Sequence, residues 1–99
     1  MTVPPSRSPA HCERTVKIVN SEGLHARPSG AVVAVALDFE SEIQISCRDR
    51  RVNGRSILEL ITLGATCGSE LHMTAKGPDA EQLIEALSNL IGAGFREHS

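Results

Sequence analysis

The chain has 99 residues and a formal net charge of -2, and its only aromatic side chains are Phe39 and Phe95. That length holds one small domain with a modest core and excludes a two-domain reading. The near-neutral charge and the lack of stacking side chains exclude a nucleic-acid partner.

Residues 1–12 combine three prolines with polar side chains and bury too little to offset ordering, so a flexible tail is expected there, with a single domain from 13 to 99. The tail lacks the apolar core of a secretory signal, and no stretch is long and apolar enough to span a bilayer. A cytoplasmic protein with no membrane insertion is expected. Thr15–Asn20 alternates, with Val16 and Ile18 on one face, as a half-buried strand does. Ser21-Glu22-Gly23 then turns the chain.

A helix is predicted from Ala26 to about Leu37, with His25 as its N-terminal flank and Ala26, Arg27 and Pro28 as its first three positions. A proline there gives up no intrahelical hydrogen bond. Ser41–Cys47 alternates with Ile43, Ile45 and Cys47 inward, and after the charged turn Arg48–Arg51 a short strand around Arg51–Asn53 completes a hairpin. Ser56 and Glu59 have capping-box spacing and open a short helix rich in Ile57, Leu58, Leu60, Ile61 and Leu63, which Gly64 stops. Glu70–Lys76 is a strand with Leu71, Met73 and Ala75 on one side. Asp79 and Gln82 form a second capping-box pattern before a helix whose stripe is Ala80, Leu83, Ile84, Leu87, Leu90 and Ile91, with Gly92 and Gly94 weakening its end. The order βαββαβα implies an α+β fold, an open-faced two-layer sandwich with a four-stranded antiparallel sheet and three helices on one face.

The chemistry concentrates at Gly23-Leu24-His25-Ala26-Arg27-Pro28. Helix starts carry unpaired N–H groups and a partial positive charge, so they hold anions. An unperturbed imidazole is largely uncharged at neutral pH and nucleophilic, so His25 can accept a phosphoryl group. The guanidinium of Arg27 matches phosphate oxygens. A lone histidine at a helix start most often has no chemistry; Gly23, Arg27 and Pro28 at these offsets favour the phosphate reading. Cys12, Cys47 and Cys67 form no Cys-x-x-Cys pair, which argues against zinc and disulfides. His11-Cys12 beside Glu13 lies in the tail, and His72 and His98 have no companions at ligand spacing, so no metal and no cofactor are expected.

These residues resemble the HPr family, the histidine-containing phosphocarriers of the phosphoenolpyruvate-dependent phosphotransferase system. Val52–Leu58 is similar to the family's second signature, Thr62–Ala65 with Gly68 to the next segment, and Lys76–Ala80 to the opening of the last helix. The resemblance runs roughly from Glu13 to Phe95 in the family's order. It implies the same sandwich and a monomeric carrier rather than a stand-alone enzyme. It further implies that His25 takes a phosphoryl group on Nδ1 from enzyme I and passes it to enzyme IIA-type domains in sugar transport. The arginine matched by Arg27 supports the phosphohistidine. The serine matched by Ser56 is, in some members, a regulatory site for an HPr kinase/phosphorylase, and a transcription regulator joins the partners. The resemblance also places His25 and the loop from Arg48 to Ser56 on one side, where an apolar patch with Ile57 and Leu58, rimmed by charges such as Arg27, Arg51 and Arg55, suggests a docking surface.

Two readings of Ile57, Leu58 and Ile61 are open: one or two are exposed at a partner surface, or all complete the core. The branch is open as well. Gly94-Phe95 resembles nitrogen-branch regulators, whereas Ser56 and Asn53-Gly54-Arg55 are closer to the sugar branch. A non-catalytic interaction module is the third possibility.

Overall fold

A computed structural model describes residues 11–96, which run β1 (His11–Lys17), α1 (Ala26–Ala36), β2 (Glu42–Cys47), β3 (Arg50–Asn53), α2 (Ile57–Thr62), β4 (Glu70–Lys76) and α3 (Ala80–Gly92), followed by a 3-10 turn at Gly94–Arg96. The strands form one antiparallel sheet in the order β1-β4-β2-β3. The expected βαββαβα order and open-faced sandwich are both present.

Strand pleating puts alternate side chains on opposite faces. Ile43, Ile45 and Cys47 of β2, Val52 of β3, and Leu71, Met73 and Ala75 of β4 are therefore buried beneath the helices. The other face stays polar, with Gln44, Ser46, Arg51, His72 and Thr74 along it. Val32 and Ala36 from α1, Leu60 from α2, and Leu83, Ile84, Leu87 and Ile91 from α3 close the core. Burying each such Leu, Ile or Val stabilises by about 1.5–3 kcal/mol. Leu90, at the edge of the α3 stripe, is only partly buried.

Three local expectations need correction. β1 begins at His11, not Thr15: His11 pairs with Lys76 and Cys12 with Ala75, so both belong to the sheet rather than to a tail. Pairing to β4 extends the strand past the apolar alternation that marks it in the sequence. The rest of the expected tail, residues 1–10, and His98 lie outside the described residues.

Asp79 flanks α3 but makes no side-chain cap bond to it. Its carboxylate instead accepts from Ser41 Oγ at 2.5 Å and from the amides of Ser41 and Glu40 at 2.9 Å, tying the α1–β2 loop to the start of α3. Those donors, the Ser41 hydroxyl foremost and the Glu40 amide next, hold the Asp79 carboxyl below its ordinary value.

The capping box at Ser56 is half present. Ser56 Oγ accepts from the Glu59 amide at 3.2 Å, but the Glu59 carboxylate reaches past the cap to the Asn53 amide at 2.9 Å. The Ser56 amide is already donating to the Asn53 carbonyl at 3.1 Å, which leaves it no proton for Glu59.

Candidate phosphate-handling site

The loop before α1 is fixed from both sides. Asn20 is buried and its Nδ2 donates to the Gly23 carbonyl at 2.9 Å, while the Gly23 amide donates back to the Asn20 carbonyl at 3.3 Å. Gly23 has φ +72°, and a Cβ there would stand 2.3 Å from the Ala65 carbonyl oxygen. Only glycine fits both the conformation and the contact. The next residue, Leu24, is buried and donates its amide to the same Ala65 oxygen at 3.0 Å. The loop after α2 thus seats the turn that carries His25.

His25 occupies the N-cap of α1 in extended conformation, with φ -90° and ψ -164°. The first intrahelical bond runs from the Ser29 amide to the His25 carbonyl at 3.0 Å. The amides of Ala26 and Arg27 precede that ladder, and Pro28 has none. Two amides and the helix field are therefore placed where an anion beside the imidazole would meet them. Pro28 and Ser29 are buried and anchor this first turn, whereas Arg27 is exposed.

The two ring nitrogens of His25 are not equivalent. Nε2 is shut off from solvent and lies 2.8 Å from Oε1 of Glu22, although the side chain as a whole is 39% exposed. At that distance the carboxylate can pair with a ring N–H. The ring is therefore asymmetric, with Nε2 closed against the carboxylate and Nδ1 on its other side.

The docking residues read from the sequence separate. Ile57 and Ile61 are 41% and 38% exposed and Leu58 is 77% exposed, so of the two open readings exposure holds, and for all three side chains. A six-residue helix has one inward stripe, and Leu60 fills it. Ile57 Cδ1 lies 3.8 Å from the point a Cβ would take at Gly30, which joins the patch to α1. Gly30 is roughly 7.5 Å along the helix from His25 at the usual rise per residue.

Arg55 is bonded within the fold. Its guanidinium donates to the carbonyls of Ala36 at 3.2 Å and Phe39 at 2.5 Å, closing the C-terminal end of α1. Arg51 points to the uncovered face of the sheet, where it donates to Gln44 Oε1 at 3.3 Å. Ser56 is half-buried at the α2 cap. Sequence reasoning passed over Glu22, Asn20 and Ala65. The one signal for Glu22 is its place three residues before His25.

Among the described residues no group of three or more His, Cys, Asp or Glu side chains could hold a metal, and Cys12, Cys47 and Cys67 are free thiols. No helix of the described residues is long and apolar enough to cross a membrane.

A histidine presented at a helix start on a small two-layer sandwich is the arrangement of a phosphoryl carrier, and comparisons with known proteins agree. Residues 12–93 match the family model described as the PTS HPr component phosphorylation site. The chain is 37% identical over 84 residues to the phosphocarrier protein HPr of Treponema pallidum, an alignment covering 85% of this chain and 96% of that protein. It is 44% identical over 96 residues to the multiphosphoryl transfer protein of Vibrio cholerae, covering 94% of this chain but only 24% of that much longer protein. The crystal structure of HPr-C-His from Thermoanaerobacter tengcongensis superposes with a TM-score of 0.84 at 38% identity, covering 89% of this chain and 99% of that one. The chain belongs to the HPr family of phosphocarriers of the phosphotransferase system.

Proposed function

We propose that His25 is the phosphoryl acceptor of this chain and that Nδ1 is the atom that bonds phosphorus. The observation that carries this reading is the asymmetry of the ring, with Nε2 closed against Glu22 at the start of α1. The Nδ1 lone pair attacks phosphorus, the bond from phosphorus to the donor breaks, and the donor leaves with that electron pair. The amides of Ala26 and Arg27 and the guanidinium of Arg27 hold the phosphoryl oxygens. Onward transfer runs the same steps in reverse, with the imidazole as leaving group.

Family membership supports enzyme I as the donor and enzyme IIA-type domains as acceptors, in a cytoplasmic shuttle serving sugar transport. A shuttle must leave each partner after each cycle, which calls for a small, transient interface. The exposed patch of Ile57, Leu58 and Ile61 beside α1 suits that role. Phosphorylation of Ser56 is a second, regulatory reading. It is favoured by the partly exposed position of Ser56 next to Ile57 and Leu58, where a dianion would repel an acidic partner.

The test is to incubate the chain and its His25→Ala form with enzyme I, Mg2+ and phosphoenolpyruvate and to look for an acid-labile phosphoryl adduct by intact mass. The expected adduct appears on the wild type alone. No adduct on either form, with enzyme I verified as active, leaves an interaction module as the better reading.

A further inference from the structure

We infer that Glu22 is a positioning residue for phosphoryl transfer, acting on Nδ1 through the opposite nitrogen of the His25 ring. The inference rests on the proposal that His25 is the acceptor. Three observations carry it. Glu22 Oε1 is 2.8 Å from Nε2. Nε2 is closed to solvent and the carboxylate lies within direct contact of it. The turn that holds the pair is rigid, being stapled by Asn20 and by the Ala65 carbonyl at a position only glycine can occupy.

A carboxylate oxygen and a nitrogen lone pair repel at that distance, so the neutral ring keeps its proton on Nε2 and its lone pair on Nδ1. When Nδ1 bonds phosphorus, the ring retains the Nε2 proton and becomes a phosphoimidazolium cation. The Glu22 carboxylate is then the counter-charge beside it, and the contact is a charge-assisted one. In onward transfer the N–P bond breaks, its electron pair returns to Nδ1, and the ring departs as a neutral imidazole that still holds its proton. A ring without that proton would have to leave as an anion, a far poorer leaving group. Arg27 balances the added negative charge from the phosphate side. Glu22 touches neither the phosphoryl group nor the donor in this scheme.

The test compares the full chain with Glu22→Ala and Glu22→Gln. Glu22 is a surface side chain, 67% exposed, so both variants are expected to keep the wild-type melting temperature. The first readout is the 15N spectrum of the unphosphorylated imidazole, which needs no partner. The wild type is expected to show the proton on Nε2, and Glu22→Ala a mixture of tautomers. The second readout is single-turnover transfer from the phosphorylated chain to an enzyme IIA-type domain. It is expected to slow by roughly tenfold in Glu22→Ala, the scale of losing a partner that orients a histidine. Glu22→Gln can still accept from Nε2, so it should restore the tautomer while leaving onward transfer slow. Unchanged tautomers in Glu22→Ala, or an unchanged transfer rate in both variants, would overturn the inference. A slowed rate with unchanged tautomers would place Glu22 at the partner contact instead. If the wild type takes no phosphoryl group at all, the acceptor reading fails, whereas the tautomer spectrum still decides whether Glu22 sets the ring.

Discussion

Arg55 donates its guanidinium to the Phe39 carbonyl at 2.5 Å and to the Ala36 carbonyl at 3.2 Å, so the residue that precedes the α2 cap also closes the far end of α1. Helix C-termini leave carbonyls without partners, and a cation there both bonds them and opposes the helix dipole. Arg55→Ala is therefore expected to destabilise the fold by about 1–3 kcal/mol, the cost of leaving partly buried acceptors unsatisfied. Urea unfolding checks it: an unchanged midpoint would return Arg55 to the role of a docking cation.

Leu58 gives the opposite expectation. It is 77% exposed, so Leu58→Ser should change stability by no more than about 0.5 kcal/mol. If the α2 patch seats partner proteins, the same variant should accept phosphoryl groups at least roughly tenfold more slowly, because a few central apolar side chains carry most of the binding energy of an interface. Stopped-flow transfer beside urea unfolding separates the two effects. A normal transfer rate would remove the patch from the docking surface.

Ser56 has a structural duty whether or not it is modified. Its Oγ accepts from the Glu59 amide, and losing such a cap costs about 1 kcal/mol. Ser56→Ala should show that loss in its urea midpoint, and Ser56→Asp, which keeps an acceptor at the cap, should recover most of it. Equal destabilisation of both would mean that the cap contributes little.

Asp79 makes stability depend on acid. Its carboxyl titrates below its ordinary value of 3.8 in the folded chain because Ser41 and the Glu40 amide donate to the charged form. The stability it contributes is thus complete above the unfolded value and is lost as pH falls through the lower folded value. The wild-type urea midpoint should drop more steeply than that of Asp79→Asn from about pH 5 downward. Parallel curves would contradict the clamp.

The parts of the fold legible in the sequence are those governed by local periodicity. Ile43-Gln44-Ile45 and Leu71-His72-Met73 alternate because one face of the sheet is buried, and the α3 stripe repeats because one side of that helix is. The Gly23–Pro28 run was readable for a similar reason, since proline and histidine at a helix start have local meanings. What the sequence could not show depends on distant partners. The Asp79 carboxylate had a helix to cap, but Ser41 offered an amide and a hydroxyl from another loop. Arg55 looked like one more surface cation until α1 ended within its reach. Glu22 faces Nε2 because the turn at Gly23 is shaped by Ala65, a contact across forty-odd residues that no spacing rule marks. The exposure of Ile57, Leu58 and Ile61 was undecidable from α2 alone, because it turns on how closely that short helix approaches Gly30.

Phosphoryl flow through His25 tests the carrier role directly. Enzyme I, phosphoenolpyruvate, Mg2+ and an enzyme IIA-type domain are mixed with the wild-type chain or with His25→Ala, and phosphorylation of the acceptor domain is followed in time. The acceptor domain is expected to be phosphorylated only when His25 is present. Equal phosphorylation with the His25→Ala form would contradict it.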